Sequence, residues 1–133
     1  LNLFVAVADS GSTRVMTSPD GINWTTFAPF SDVWPYSAWT SVTWSPYMNM
    51  FVAVSRVHGG VMYSFDGINW TLIKTQTNGV PYSRWKSVTW CTRTRSFIAI
   101  SPTDTMISYN GINWIYWKHY VSILRITASH RII

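Results

Sequence analysis

With 133 residues, 17% of them aromatic and only 11% charged, the chain belongs to a packed, aromatic-rich globular class and not to a disordered one. No stretch approaches ~18 consecutive apolar residues, so no membrane-spanning helix is expected. The net charge of +5 comes from ten Lys and Arg against five Asp and no Glu, and the basic residues are scattered, which argues against nucleic acid as a partner.

Leu1 opens directly into an apolar strand with no initiator Met and no signal-peptide pattern, which fits a fragment, a processed product or part of a longer polypeptide. The first strand is Leu3-Phe4-Val5-Ala6-Val7, a short apolar run of strand length. A polar loop, Asp9 to Arg14, leads to a second strand at Val15-Met16-Thr17-Ser18. Then comes Ser18-Pro19-Asp20-Gly21-Ile22-Asn23-Trp24-Thr25, which has the chemistry of a tight turn. Asp20 can accept from backbone amides ahead of it, Gly21 tolerates positive φ, and Trp24 is an apolar anchor. Asp-Gly between two short strands is a strong hairpin signal. A linker containing Trp34, Pro35 and Tyr36 follows.

The next strand, Trp39-Thr40-Ser41-Val42-Thr43-Trp44, alternates so that Thr40, Val42 and Trp44 share one face and Trp39, Ser41 and Thr43 the other. From here every element returns. Phe51-Val52-Ala53-Val54 repeats the first strand, and Val61-Met62-Tyr63-Ser64 repeats the second. The turn recurs as Ser64, Asp66, Gly67 and Trp70, then as Ser108, Asn110, Gly111 and Trp114. Trp85-Lys86-Ser87-Val88-Thr89-Trp90 copies the Trp39 strand, and Phe97-Ile98-Ala99-Ile100 the Phe51 strand. Trp24 and Trp70 lie 46 residues apart, and Trp70 and Trp114 lie 44 apart. A unit of four short antiparallel strands at this period predicts an all-β fold built of β-propeller blades, about three in this chain and part of a larger ring. The first blade covers about 1–30 and lacks its first strand; the second covers about 38–76 and the third about 84–118. In the tail 119–133, Val121 to Thr127 alternates like a strand and is a candidate for exchange with another copy. Trp44 and Trp90 are expected to be buried between neighbouring sheets. Cys91, the only cysteine, stands where the preceding unit has Ser45, so a structural role at the turn is expected.

Ser-x-Asp-Gly-x-x-Trp resembles the Asp-box, or BNR, repeat of sialidases and many non-catalytic propellers, shortened here by one residue between Asp and Trp. Asp-Gly-Ile-Asn-Trp-Thr, together with Trp-x-Ser-Val-Thr-Trp and Phe-Val-Ala-Val, is similar to repeats in proteins of bacteriophages, large DNA viruses and bacterial surfaces. The resemblance covers residues 1 to about 117. It implies a propeller on a virion or extracellular surface, with the Asp-boxes as structural turns.

A sialidase-type site would need a Glu to activate its Tyr nucleophile, and the chain has none. Asp20 and Asp66 sit where the third copy has Asn110, and Asp9, Asp32 and Asp104 show no pairing that would flank a glycosidic bond. His58, His119, His130 and Cys91 show no metal-ligand spacing, so neither a metal nor another cofactor is expected. An enzyme is not expected. The loop after the Phe51-type strand varies in length between units, while the remaining connections hold constant. Variable loops on a constant scaffold are where binding resides. The candidate surface therefore contains the loops Asp9 to Arg14, Arg56 to Gly60 and Pro102 to Asp104, with the linker residues beside them. Its candidate ligand-binding residues are Arg14, Trp34, Tyr36, Arg56, His58, Tyr82 and Arg84, whose rings and guanidinium groups suit sugar rings or bases. A simpler role for Tyr36 and Tyr82, both in Pro-Tyr-Ser, is to pin the linker. The expected function is a non-catalytic structural or recognition module. A lectin-like receptor-binding module is the alternative, and a degenerate sialidase-like glycosidase comes third. Expected partners are further copies or blades, other virion proteins, or glycans.

Overall fold

The fold is that of a computed structural model, which describes residues 1–29, 38–119 and 126. Among these residues eleven strands form three antiparallel sheets, with one 3-10 turn at Thr75–Asn78. The first sheet contains β1 (Phe4–Val7), β2 (Val15–Ser18) and β3 (Thr25–Phe27). The second contains β4 (Trp39–Ser45), β5 (Met50–Ser55), β6 (Gly60–Ser64) and β7 (Thr71–Lys74). The third contains β8 (Ser87–Cys91), β9 (Ser96–Ile100), β10 (Asp104–Ser108) and β11 (Ile115–Lys118). Each sheet is a plain meander, its strands paired in sequence order. The registers repeat: Phe4 faces Ser18, Phe51 faces Ser64, and Phe97 faces Ser108. The 3-10 turn was not foreseen, and the predicted Trp85 strand begins two residues later, at Ser87.

Strand alternation gives each sheet two apolar faces, and the sheets stack face to face. Phe51, Ala53, Met62 and Trp70 of the second sheet meet Val5, Val7, Val15 and Phe27 of the first. The opposite face of the second sheet, Val52, Val54 and Val61, meets Val88, Trp90, Phe97 and Met106 of the third. Each Val, Phe or Met side chain fully buried here contributes about 1.5–3 kcal/mol, which is why strands of three to seven residues hold as a stack. Two of the turn glycines, Gly67 and Gly111, sit tight against the neighbouring sheet. A Cβ on Gly67 would lie 2.9 Å from Leu3 Cδ2, and one on Gly111 would lie 2.7 Å from Met50 Sδ.

Strands β4 and β8 are edge strands that lie beside each other, and side chains of one satisfy the backbone of the other. Thr40 Oγ1 donates to the Trp85 carbonyl at 2.7 Å. The amides of Val88 and Trp90 donate to Ser41 Oγ and Thr43 Oγ1, each at 3.1 Å. Trp-x-Ser-Val-Thr-Trp is thus an edge strand that carries its own hydroxyl caps for its neighbour, removing free donors that would otherwise invite mispairing.

Two expectations need correction. The pairing of β4 with β5 slips between Trp39 and Ser41, and this irregularity places Trp39 in the same core as Val42 and Trp44, not with Ser41 and Thr43. Trp44 is only partly buried, whereas Trp90 is buried and stacked on Tyr47 at 6.5 Å between ring centroids. Trp44 faces the first sheet, in which no described strand corresponds to β4 or β8. At the Cys91 turn the thiol takes the place of Ser45 Oγ, which accepts the Met48 amide at 3.1 Å. Hydrogen bonds from the Thr94 side chain and amide hold the Cys91 thiol below the usual range. The proposed exchanged strand in 119–133 lies outside the described residues, apart from His119 and Ile126.

Candidate functional site

Each of the three turns is closed by one serine and one Asx side chain. Ser64 Oγ accepts the Gly67 amide at 2.8 Å and donates to Asp66 Oδ1 at 3.0 Å. Asp66 Oδ1 accepts the amides of Ile68 and Asn69 at 2.8 Å each, and Oδ2 accepts Asn69 Nδ2 at 2.8 Å. Ser18 and Asp20 repeat this arrangement. The backbone bonds to Oδ1, led by Asn69 for Asp66 and by Asn23 for Asp20, hold both carboxyls well below the usual carboxylate range. Asn110 accepts the corresponding amides of Ile112 and Asn113 at 2.9 and 2.8 Å, so a neutral amide oxygen suffices. Trp24 and Trp70 each donate their indole N–H to the carbonyl of the turn glycine, at 3.2 and 3.0 Å. The Trp114 indole N–H is buried without a partner among the described residues. In the first two turns the serine hydroxyl, both carboxylate oxygens and the Trp indole N–H are all bonded within the turn, whereas in the third the Trp114 amide donates outward to Asn78 Oδ1 at 2.8 Å.

At the other end of the sheets the structure brings four predicted residues together. Arg56, Val57, His58, Tyr82, Ser83 and Arg84 line a cleft of about 440 Å³ between the second and third sheets. Its first wall is the loop after β5. There Ser55 Oγ accepts the Val57 amide at 3.0 Å, the Arg56 amide donates to the Ala38 carbonyl at 3.0 Å, and His58 has a left-handed backbone, φ 52°. The second wall is the linker after β7, tied to that loop by Thr75 Oγ1, which donates to the Gly59 carbonyl at 3.1 Å. Tyr82 is exposed and lines the cleft, its ring set edge-on to His58 at 5.3 Å.

Arg56 and Arg84 also line an adjoining depression of about 390 Å³ with Thr40 and Lys86. Lys86 escaped sequence reasoning because it sits in a regular strand motif and not in a variable loop. Arg56 meets Asp9 at 3.4 Å, an exposed pair worth about 0–1 kcal/mol. Among the described residues no acidic group pairs with Arg84 or Lys86. Arg14 stands apart from the cleft: its guanidinium donates to the carbonyls of Gly11 and Asp9, ordering the first loop. Trp34 and Tyr36 lie outside the described residues.

Behind the cleft sits Asp104, a buried carboxylate that sequence spacing did not single out. Hydroxyls of Ser83, Thr103 and Ser101 lie 2.8, 3.0 and 3.2 Å from its Oδ2, and Tyr116 donates to Oδ1 at 2.6 Å. Burial pushes its pKa up, but the hydroxyl donors together outweigh burial and hold it below the usual range. The donors come from three separate segments, so only folding assembles them. Among the described residues no group of three His, Cys, Asp or Glu side chains is placed to hold a metal ion.

Comparison with protein-family models, with curated proteins and with solved structures finds no match to this chain.

Proposed function

We propose that this chain is a non-catalytic β-propeller module whose sheets are blades, and that the cleft at Arg56, His58, Tyr82 and Arg84 is its recognition surface for a glycan. Three stacked four-strand units, one lacking its first strand, and their Asp-box-like turns support the propeller reading. The observation that carries the recognition reading is the convergence of a length-variable loop and a linker on a cleft holding an exposed Tyr ring and two Arg side chains. Cationic groups beside an aromatic ring suit a sugar that carries a carboxylate, sulfate or phosphate. Asp104, which bonds the cleft residue Ser83, is a poor general base, because the hydroxyls of Ser83, Ser101, Thr103 and Tyr116 hold its pKa below the usual range. A virion or extracellular surface setting follows from the resemblance of the Asp-Gly-Ile-Asn-Trp-Thr repeat and belongs to the same proposal.

The test is a glycan array spanning neutral and acidic saccharides, followed by titration of any hit against Tyr82→Ala and Arg84→Gln. We expect an acidic saccharide to bind and either substitution to weaken it at least about tenfold, the loss of one stacking or charge-assisted contact. Absence of any saccharide ligand, or affinity untouched by both substitutions, overturns the recognition reading.

A further inference from the structure

The second and third sheets each cover a set of side chains that the first sheet leaves bare. Phe4 of the first sheet is 56% exposed, while its counterparts Phe51 and Phe97 are 5% and 0% exposed. Met16 is 36% exposed, while Met62 and Met106 are fully buried. Trp24 follows the same pattern against Trp70 and Trp114. These are the same residue types at the same register positions, so the difference lies in what packs on them.

The chain itself shows what packs on such a face. Phe51, Met62 and Trp70 lie against the first sheet, in the core shared with Val5, Val7 and Val15, and Phe97, Met106 and Trp114 lie against Val52, Val54 and Val61 of the second. The interface is therefore of one kind, used twice, joining the Phe-Met-Trp face of one sheet to the aliphatic face of the sheet before it. The third sheet carries the aliphatic face once more. Ile98 and Ile107 stand at the positions of Val52 and Tyr63 and are partly exposed; on the same face Ile100, at the position of Val54, is buried, Thr105 replaces Val61, and Ile115 and Trp117 are each 52% exposed. The two ends of the stack are thus complementary to each other, and a rigid stack cannot bring its own two ends together at three sheets.

We propose that the Phe4, Met16 and Trp24 face of one copy docks on the Ile98, Ile107 and Trp117 face of a second copy, closing two chains head to tail into a six-sheet ring. The ring size rests on the propeller reading: two copies of this 133-residue chain bring together six sheets, within the ~4–8 of known propellers. Each copy contributes both faces, so the same heterologous contact forms twice. An apolar patch that repeats an internal packing surface is the kind that marks an interaction site.

The experiment is light-scattering mass measurement on the 133-residue chain and on Phe4→Glu and Trp117→Glu, with circular dichroism to check that both variants fold. The unmutated chain is expected at twice 15.3 kDa, and each variant at 15.3 kDa. Mixing the two variants should restore the doubled mass, because one of the two contacts then pairs two unmutated faces. That complementation separates a head-to-tail contact from a symmetric one, in which only one of the two substitutions would matter. Oxidative labelling of Trp24 and Met16 in the unmutated chain provides the check should a variant fail to fold: both should become protected as concentration rises. A monomeric unmutated chain, a dimer that survives Phe4→Glu, or an open polymer overturns the proposal. A monomer that still binds saccharide through Tyr82 and Arg84 would overturn the ring and leave the recognition reading standing.

Discussion

Gly21, Gly67 and Gly111 share one backbone conformation, with φ of 80°, 81° and 78°, but not one environment. A methyl group at Gly21 would meet only the Phe4 ring at ordinary contact distance, whereas at Gly67 and Gly111 it would strike the neighbouring sheet. We therefore expect Gly21→Ala to cost the backbone strain alone, about 1–3 kcal/mol. Gly67→Ala and Gly111→Ala should each cost about 1–3 kcal/mol more through overpacking, in urea unfolding of the three variants side by side. Equal losses at all three would mean that the sheets do not meet at the turns. Asp66 differs from Asn110 in its charge and in the bond its Oδ2 accepts from Asn69 Nδ2. Because its folded pKa is depressed, Asp66 contributes stability that is fully present above the unfolded value of about 3.9 and is lost as pH falls through the lower folded value. Asp66→Asn should leave neutral-pH stability nearly unchanged and flatten the acid side of the urea-midpoint profile. A large loss at neutral pH would show that the carboxylate, and not merely an acceptor oxygen, closes the turn.

Among the strands, β4 and β8 test how far repetition of sequence is repetition of environment. Trp90 lies between Tyr47 and Phe97, its ring 4.8 Å from the latter, while Trp44 is matched by Phe51 at 4.5 Å and, among the described residues, has no ring stacked on it as Tyr47 is on Trp90. Trp90→Ala should cost about 3–5 kcal/mol and Trp44→Ala distinctly less, as read from thermal or urea unfolding. The pairing of Phe with Ser in each sheet is a finding of the structure, while the strands and the Asx-Gly hairpins were legible, because period-two alternation and turn chemistry are local. The placement of Trp39 was not: one irregularity in the ladder changes its face, and nothing in Trp39-Thr40-Ser41 announces it. The cleft was half legible. Loop-length variation pointed to Arg56, His58 and the loop that holds Asp104, and the linker beside those loops to Tyr82 and Arg84, while Lys86 and the hydroxyls gathered around Asp104 depend on segments that only folding brings together.

At the scale of the whole molecule the second sheet is the keystone, since the first and third sheets each pack on it through separate cores. Such a stack behaves as a one-dimensional chain of neighbours, so its parts open with different free energies. The core between the second and third sheets is the larger, with twelve buried residues against six. The first sheet has three strands in place of four and a bare apolar face, and it should therefore open first when no second copy covers it. The Phe4→Glu monomer isolates that case. In its hydrogen exchange, amides of β1–β3 should exchange through a sub-global opening well below the global unfolding free energy, while β5, β6, β9 and β10 report the global event. Adding Phe97→Ala should lower the global value by about 3–5 kcal/mol and leave the β1–β3 opening unchanged, because Phe97 belongs only to the far core. If β1–β3 instead lose protection in step with β9, the three sheets unfold as one unit, and the nearest-neighbour description fails.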